Sequence, residues 1–322
     1  MKYGTVKNVG KPVSRLVMGM ASLPGNDMEE KFCLLDEVFA LGINTFDTAA
    51  IYRNDSEECL IKWIADRGIR DQVVLLTKGA HPNKWRKRVT PYDILSDVSD
   101  SLAKPGADYI DIFMLHRDDP DVPVEPIIDI LNRLYEAGKI RSFGCSNWTA
   151  ERVQRANEYA QKFGMLGFSS VSPNYGLAVQ VNDPWRGGCV SLTGDSAEEE
   201  RRYYRENQMP IFAYSSLGRG FFSGKFRSDE QEKAKTFLDR PALVGYFSEN
   251  NFERLKRVEL LAEKIHAKVP QIALAWTLQS GLNVFPIVSA KTGERMKENI
   301  RALDVKITPD EAAWLNLEKD EI

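Results

Sequence analysis

Short apolar runs alternate with longer amphipathic runs along most of the chain. Eight of the short runs combine β-branched or aromatic residues with flanking turn residues, which is typical of buried strands. They are RLVMGM (15–20), NTFDTA (44–49), QVVLLTKG (72–79), YIDIFMLH (109–116), IRSFGCS (140–146), FSSVSP (168–173), PIFAYSS (210–216) and NVFPIVS (283–289). This alternation predicts a parallel sheet whose strands are joined by helices.

The segments between these runs show helical periodicity. Three clear examples are MEEKFCLLDEVFALG (28–42), VEPIIDILNRLYEAG (124–138) and NFERLKRVELLAEKIHA (251–267), and the first two end in a glycine suited to a helix C-cap. Eight strands with intervening helices predict one α/β domain over residues 1–322, a (β/α)8 TIM barrel. A doubly wound open sheet is the alternative, but the first strand–helix junction, GMASLPGNDMEE, lacks its G-x-G-x-x-G fingerprint.

Three further segments complete the expected barrel. Residues 3–14 (YGTVKNVGKPVS) are expected to form a small hairpin that plugs its bottom. The connections 176–209 and 217–250 are long, and loops of that length in compact domains usually act as lids or binding segments. In a barrel these would be βα loops on the face that carries active sites.

Composition excludes several classes of function. The 322 residues include 43 Lys plus Arg and 46 Asp plus Glu, for a formal net charge of -3, so no overall charge favours nucleic acid or a membrane surface. The four cysteines form no C-x-x-C pair, which disfavours a zinc site or a disulfide framework. Because no signal peptide or spanning segment is recognisable, we expect a cytoplasmic protein without a bound metal.

Polar residues stand where the second, third and fourth strand runs end. They are Asp47, Tyr52 five residues after it, Lys78 and His116. Because the carboxyl ends of parallel strands meet at one mouth of a barrel, we expect these side chains to converge there. Each alone has an ordinary structural interpretation, such as a turn cap, a solvated amine or a hydrogen-bonded ring. Together, on three consecutive strands, they favour a catalytic cluster.

At these positions the chain resembles the aldo-keto reductase superfamily. Its members share a (β/α)8 barrel with an Asp, Tyr, Lys, His tetrad at matching strand ends, and the resemblance spans nearly the whole chain. It implies an oxidoreductase that transfers hydride between NADPH and an aldehyde, a ketone or a sugar-derived carbonyl. The implied partners are therefore NADPH/NADP+ and a small-molecule carbonyl substrate.

The resemblance also implies a cofactor site. GCSNW (144–148) is similar to the segment that holds the nicotinamide carboxamide, AYSSLGRGFFSGK (213–225) to the segment whose tyrosine stacks on the nicotinamide, and SAKTGERMKEN (289–299) to the segment that holds the adenosine phosphate. The implied cofactor residues are Gly19, Met20, Asp47, Ser146, Asn147, Ser172, Tyr214, Ser215, Leu217, Gly218, Lys225, Ser289, Lys291, Thr292, Arg295, Glu298 and Asn299.

Two positions depart from the family pattern. Ser172 stands where a glutamine usually follows the sixth strand, so the carboxamide would depend more on Asn147. Ser289 replaces a glycine on the eighth strand, which changes the expected geometry around the phosphate but not the fold.

Carbonyl reduction needs a proton donor beside the developing alkoxide. We expect Tyr52 in that role, with Lys78 lowering the pKa of its phenol and Asp47 holding the ammonium group in place. His116 would orient the carbonyl oxygen.

The phosphate segment determines which cofactor is expected. The start of a helix binds anions through its free N–H groups and its dipole, and Lys291 and Arg295 add positive charge. We therefore expect NADPH rather than NADH. Glu294 opposes this preference, and a solvated basic face is the alternative interpretation.

The substrate is expected at the rim of the mouth. Candidate contacts are Met20, Tyr52, Trp85, Arg86, His116, Trp148, Trp185 and Arg186. The stretch around Trp185 is the expected lid. The basic loop HPNKWRKR (81–88) is either simply solvated or favours an acidic or phosphorylated substrate. His81, in that loop, and His266, in the helical run 251–267, are expected to be structural or surface residues.

Two other functions fit the same residues. A Schiff-base lyase would use Lys78 as the nucleophile and Tyr52 as a proton shuttle. A regulatory barrel would bind NADPH without turnover. The natural substrate, the physiological direction and the oligomeric state are open.

Overall fold

The computed structural model of the chain describes residues 1–25, 27–53, 55–185 and 187–322. Its strands are β1 (Tyr3–Gly4), β2 (Val13–Ser14), β3 (Val17–Gly19), β4 (Thr45–Asp47), β5 (Val74–Gly79), β6 (Ile110–Leu115), β7 (Ile140–Ser146), β8 (Val171–Ser172), β9 (Ile211–Ala213) and β10 (Val284–Val288). Its α-helices are α1 (Met28–Ala40), α2 (Ser56–Arg67), α3 (Pro91–Leu102), α4 (Val124–Glu136), α5 (Ala150–Lys162), α6 (Glu198–Asn207), α7 (Gln231–Phe237), α8 (Arg240–Tyr246), α9 (Glu249–Lys264), α10 (Val269–Leu278), α11 (Gly293–Ile300) and α12 (Pro309–Leu315).

In the described part of the chain, eight parallel strands close a barrel in sequence order from β3 to β10, with β10 beside β3. The predicted (β/α)8 TIM barrel is confirmed. Among the barrel strands, only β7 covers its whole predicted run; the other seven are shorter, and β8 is shortest, with two residues of 168–173. Barrel strands are tilted and their hydrogen-bond register is staggered, so the end residues of an apolar run can lie beyond the last hydrogen bond to a neighbouring strand.

The N-terminal hairpin closes the bottom of the barrel, as predicted. β1 and β2 pair antiparallel, and Val6, Val9 and Val13 between and within them are buried against the inward-facing residues of the barrel. Among those residues, Phe212 and Phe285 stack with ring centroids 5.1 Å apart. The interior is therefore a packed core that opens at the other end only.

The two long connections lie at that other end, after β8 and β9. The first contains a short 3-10 turn (Asp195–Ala197) and α6, and the second contains α7 and α8. They touch at Gly218, where φ is 58° and an added Cβ would lie 3.0 Å from the Cβ of Ala178. A left-handed backbone this close to its neighbour requires glycine.

One helix begins and ends at residues other than those predicted. The periodicity predicts 251–267, but α9 runs from Glu249 to Lys264 because the Ser248 side chain accepts a hydrogen bond from the backbone N–H of Asn251. His266 thus lies beyond the helix, exposed and with a φ of 55°. No helix among the described residues is both long and apolar enough to cross a membrane.

Candidate active site

Three neighbouring strands bring the predicted tetrad to the open mouth of the barrel. Asp47 is the last residue of β4, Lys78 lies one residue before the end of β5, and His116 directly follows β6. The parallel register places Asp47 opposite Leu76, two residues before Lys78. The strand ends therefore do converge as the sequence predicts.

Lys78 and Asp47 form a buried ion pair. Lys78 is 3 % exposed, as is Asp47, and its ammonium group donates to the Asp47 carboxylate and to the carbonyl oxygen of Thr48, the latter at 3.1 Å. Burial alone would lower the pKa of Lys78, but the negative charge of Asp47 and the Tyr52 phenol raise it above its ordinary value. Lys78 is thus a fixed cation at neutral pH.

Tyr52 lies beside this pair. The Lys78 Nζ atom is 5.3 Å from the centroid of the Tyr52 ring, and the His116 ring is edge-on to it at 5.9 Å. Burial raises the pKa of the Tyr52 phenol above its ordinary value, and the charge of Lys78 offsets only part of that rise. The expectation that Lys78 lowers the pKa of Tyr52 overall is therefore wrong. Burial of the phenolate raises this pKa by more than the nearby Lys78 ammonium lowers it.

His116 is a neutral ring with free hydrogen-bonding capacity. Burial, followed by the positive charges of Lys78 and Arg117, lowers the pKa of His116 well below its usual 6.5. Its Nδ1 atom is buried and has no hydrogen-bond partner among the described residues. A neutral imidazole can accept at one nitrogen and donate at the other.

His81 is a member of this cluster that the sequence analysis assigned to structure or surface. Its ring packs edge-on against His116, with centroids 4.9 Å apart, and its Nδ1 lies 2.8 Å from the carbonyl oxygen of Pro82. Burial lowers the pKa of His81. The sequence signal that could have identified His81 is its position three residues after Lys78, just past the end of β5.

The segment after β7 is rigidly held. Ser146 donates to the carbonyl oxygen of Ser172 at 2.7 Å, and Asn147 donates to the Ser146 hydroxyl at 2.9 Å. The Asn147 side-chain oxygen accepts from the Tyr214 hydroxyl at 2.7 Å and from the backbone of Val190 at 3.2 Å. Asn147 itself has a φ of 62°. These contacts join four of the implied cofactor residues, Ser146, Asn147, Ser172 and Tyr214, in one network.

Buried polar atoms without partners mark a path from the mouth to α11. Within the described residues they include the hydroxyls of Ser172 and Ser223, the side-chain oxygen of Asn299 and the Nδ1 of His116. Buried polar groups are nearly always hydrogen-bonded, so unpaired ones need a ligand or water. These four lie on segments that the resemblance assigns to the active site and the cofactor, whereas four others, on Glu57, Asp111, Ser170 and Arg254, do not.

The segment after β9 provides the backbone part of this path. Tyr214, Ser215 and Leu217 are partly exposed, and Ser215 and Gly218 both have left-handed backbones, with φ of 55° and 58°. Lys225 is exposed and makes no ion pair with any described residue. Gly19 and Met20, in contrast, are buried, and the backbone N–H of Met20 donates to the backbone carbonyl oxygen of Asp47 at 2.8 Å.

The start of α11 combines basic and acidic groups. Lys291 and Thr292 are exposed, and the Thr292 hydroxyl caps the helix by accepting from the backbone of Arg295 at 3.2 Å. The Arg295 side chain is held by Glu298 at 3.0 Å and by the Ser223 carbonyl at 2.6 Å. Ser289 donates to the carbonyl oxygen of Gly19 at 3.2 Å.

A carboxylate from another helix also reaches this helix start. Glu37 of α1 accepts a hydrogen bond from the backbone N–H of Gly293 at 2.8 Å. It belongs to a cleft of about 490 Å³ lined by Asp27, Glu29, Glu30, Cys33, Leu34, Glu37, Lys291 and Thr292. The sequence analysis missed Glu37, because nothing in the sequence pairs position 37 with position 293.

The candidate substrate residues divide into exposed and buried ones. Trp85 is 78 % exposed and Trp185 is 44 % exposed. Trp148 is 2 % exposed and packs against Phe168 at 5.1 Å, so its indole is a core group. Arg86 is engaged by Asp93 at 2.6 Å. Arg186 lies outside the described residues.

Comparisons with known proteins agree with this geometry. The Aldo/keto reductase family matches residues 15–316. A Schizosaccharomyces pombe protein named putative voltage-gated potassium channel subunit beta is 29% identical, with 89% of this chain and 83% of the relative covered. The aldo-keto reductase yakc of the same yeast, whose name includes NADP(+), is 29% identical over 90% of this chain and 83% of the relative. An aryl-alcohol dehydrogenase of Phanerodontia chrysosporium, also named for NADP(+), is 29% identical over 90% of this chain and 76% of the relative. With its barrel and this family match over nearly its whole length, the chain belongs to the Aldo/keto reductase family.

Proposed function

We propose that this protein is an NADPH-dependent carbonyl reductase in which Tyr52 donates the proton. The observation that carries the proposal is the buried Lys78–Asp47 ion pair beside the Tyr52 ring at the open mouth. The nicotinamide cofactor supplies the hydride. Because burial raises the pKa of Tyr52, its phenol stays protonated at neutral pH, as a general acid must be. Lys78 then stabilises the tyrosinate that remains after proton donation.

His116 and Asp47 support this proton donor in different ways. His116 is neutral, because its pKa is lowered by burial and nearby cations, so one ring nitrogen can donate to the carbonyl oxygen without adding a competing charge. Asp47 holds the Lys78 ammonium in place and balances its charge within the core. The proposed catalytic set is therefore Asp47, Tyr52, Lys78 and His116.

Two observations support NADPH as the cofactor. Lys291 is exposed at the start of α11 and Arg295 lies within its first turn, where the helix dipole also favours a phosphate. Two relatives carry NADP(+) in their names. Glu37 works against this preference, since its carboxylate already occupies the N–H of Gly293.

We propose aldehydes, ketones or sugar-derived carbonyl compounds as substrates, with the exposed rings of Trp85 and Trp185 at the rim. We also propose the cytoplasm as the compartment. The four cysteines, at 33, 59, 145 and 189, are free thiols in the described structure, which suits a reducing environment.

A second candidate is a regulatory barrel that binds the cofactor without turnover. It is favoured by the relative named as a potassium channel β subunit. The Schiff-base alternative has less support, because Lys78 is fully buried in an ion pair and its pKa is raised. An amine nucleophile must be deprotonated, and lowered pKa values are the usual route to that state.

The deciding experiment is a screen for NADPH oxidation across aldehydes, ketones and sugar-derived carbonyls, with NADH in parallel. We expect loss of the reduced-cofactor absorbance with several aldehydes and faster turnover with NADPH at low cofactor concentration. Tight NADPH binding with no turnover of any carbonyl would support the regulatory barrel instead. Borohydride trapping of an adduct on Lys78 would support the lyase.

A further inference from the structure

Arg117 follows His116 directly and lies at the same mouth. Its backbone is anchored, because its carbonyl oxygen accepts from the Trp148 indole at 3.3 Å. Its side chain runs beside the first long connection: a Cβ added to Gly188 would have the Arg117 Cδ as its nearest neighbour, at 3.9 Å. The side chain is partly exposed. Arg117 therefore stands between the reacting groups and the rim.

The guanidinium of Arg117 is almost unengaged. Its one hydrogen bond to a described residue is a long one, 3.4 Å to the carbonyl oxygen of His116, and it makes no ion pair within residues 1–25, 27–53, 55–185 and 187–322. The carboxylate of Asp183, in the neighbouring loop, is used by the backbone N–H groups of Trp185, Gly187 and Cys189. The N–H groups of the Arg117 guanidinium are therefore available to bind a ligand.

Most cations of the neighbouring basic loop are already neutralised. In the basic loop 81–88, Arg86 pairs with Asp93 at 2.6 Å, Lys87 with Asp119 at 2.8 Å and Arg88 with Asp97 at 2.5 Å. Arg152, nearby on α5, pairs with Asp118 at 2.8 Å. The fourth cation of this loop, Lys84, lies 4.0 Å from the centroid of the exposed Trp85 ring and makes no ion pair with a described residue. Three of the four cations of the basic loop are thus neutralised, whereas Arg117, directly beside His116, keeps its charge unpaired.

The charge of Arg117 also reaches the groups that would act on the substrate. Burial is the main influence on the pKa of Tyr52, His81 and His116, and the positive charge of Arg117 adds to the influences on all three. The geometry agrees, because Arg117 directly follows His116, whose ring centroid lies 5.9 Å from that of Tyr52.

We propose that Arg117 binds a carboxylate of the substrate, so that the preferred substrates are aldehydes or ketones that carry a carboxylate group. The planar guanidinium presents paired donors that match a carboxylate, and such charge-assisted pairs are stronger than neutral hydrogen bonds. This inference rests on the proposed reductase function, since it names the substrate class of the same site. Arg117 is here a specificity-determining residue and not a member of the proton-donating set.

The test compares two aldehydes of one skeleton, 4-carboxybenzaldehyde and methyl 4-formylbenzoate, with the wild-type protein and Arg117→Gln. We expect Arg117→Gln to lower kcat/KM for the carboxylate roughly ten- to hundredfold, as for loss of a charged hydrogen-bonded pair. The ester should change less than about twofold. Arg117→Lys should restore part of the loss. Lys87→Gln, which removes one paired cation from the same rim, is the matched control and should leave the carboxylate preference intact.

A binding measurement separates failure of this inference from failure of the proposed function. Titration calorimetry with the protein and NADP+ would compare 4-(hydroxymethyl)benzoate with its neutral amide. Tighter binding of the carboxylate that is lost in Arg117→Gln supports the anion site even if no aldehyde is turned over. Equal behaviour of carboxylate and neutral compounds, in either turnover or binding, overturns the inference and leaves the reductase proposal standing wherever the ester is reduced. A melting curve for each variant excludes misfolding.

Discussion

Two buried carboxylate–cation clusters lie at opposite ends of the barrel. At the bottom, Asp111 of β6 is fully buried and bonds with Arg70 at 2.8 Å, with Lys11 at 2.7 Å and with the backbone of Leu75 at 2.9 Å. At the mouth, Asp47 is also buried and is held by Lys78. Burial of these charges costs desolvation free energy, so both clusters need close ion-pair and hydrogen-bond partners to be stable.

The neighbours of the two clusters differ. Around Asp111 the cationic side chains are committed to carboxylates and carbonyls, including Arg70 to Asp108 and to the carbonyl of Tyr109. Around Asp47 the described residues leave His116 Nδ1 and the Ser172 hydroxyl without partners. The Oδ1 atom of Asp111 makes no hydrogen bond within the described residues, but the Lys11 ammonium balances its charge at 2.7 Å. A buried network whose charges are paired holds the fold, while one with unpaired polar neighbours is suited to a ligand.

The largest expected effect comes from breaking the mouth cluster at its proposed proton donor. Tyr52→Phe should lower kcat for carbonyl reduction roughly 100- to 10,000-fold, because it removes the proposed general acid. NADPH affinity, followed by fluorescence titration, should stay close to wild type. Tyr159→Phe is the control, because it removes a remote phenol on α5 that donates to Asp129. Wild-type turnover in Tyr52→Phe would refute the assigned role.

A substitution in the bottom cluster should change the stability of the protein rather than its turnover. Asp111→Asn should lower the free energy of unfolding by about 3–5 kcal/mol, because it leaves two cations without their buried counter-charge. Urea unfolding measures this loss, and the folded fraction should retain wild-type kcat. Asp108→Asn removes the half-exposed partner of the same arginine and should cost less than about 1 kcal/mol. A loss of kcat with unchanged stability in Asp111→Asn would contradict the division between the two ends.

A smaller effect is expected at Ser172, whose hydroxyl is buried and unpaired. Ser172→Ala should weaken cofactor binding roughly three- to tenfold, as for loss of one hydrogen bond. The melting temperature should stay the same or rise, because no hydrogen bond within the described protein is lost. Ser170→Ala, a control with a similarly buried and unpaired hydroxyl deeper in the barrel, should leave affinity unchanged. Equal cofactor affinity in wild type and Ser172→Ala would remove Ser172 from the proposed site.

The smallest effect concerns the carboxylate at the far end of the cofactor path. Glu37→Gln should improve NADPH affinity roughly two- to fivefold, since a helix-start charge effect is worth about 0.3–1 kcal/mol, and should leave NADH nearly unchanged. Glu29→Gln removes a charge from the same cleft without touching Gly293 and should give a smaller gain. Parallel gains for both cofactors would show that Glu37 does not face a 2′-phosphate.

The sequence predicted the barrel and the convergence of Asp47, Lys78 and His116, because parallel strand ends have only one place to meet. It did not reveal Glu37 at Gly293 or the free state of Arg117. Both depend on contacts between distant segments, and the charge of a residue does not show whether a partner neutralises it. The basic loop 81–88 illustrates the same limit, since its arginines are paired with Asp93 and Asp97.

The sign of the Tyr52 pKa shift was also beyond the sequence. A lysine beside a phenol lowers the pKa, and that reasoning is correct as far as it goes. The depth of burial, which raises the pKa by more, depends on how closely the surrounding strands and loops pack. His81 was missed for a related reason, because its ring is turned inward onto His116 by its hydrogen bond to Pro82.

The valine-lined hairpin at the bottom has a kinetic consequence. With Val6, Val9 and Val13 filling that end, molecules enter and leave through the mouth alone. In the proposed reduction, the cofactor and the carbonyl substrate would share this mouth, so the one bound deeper would have to bind first and leave last. We therefore expect compulsory-order kinetics, with product-inhibition patterns that distinguish the leading reactant from the following one.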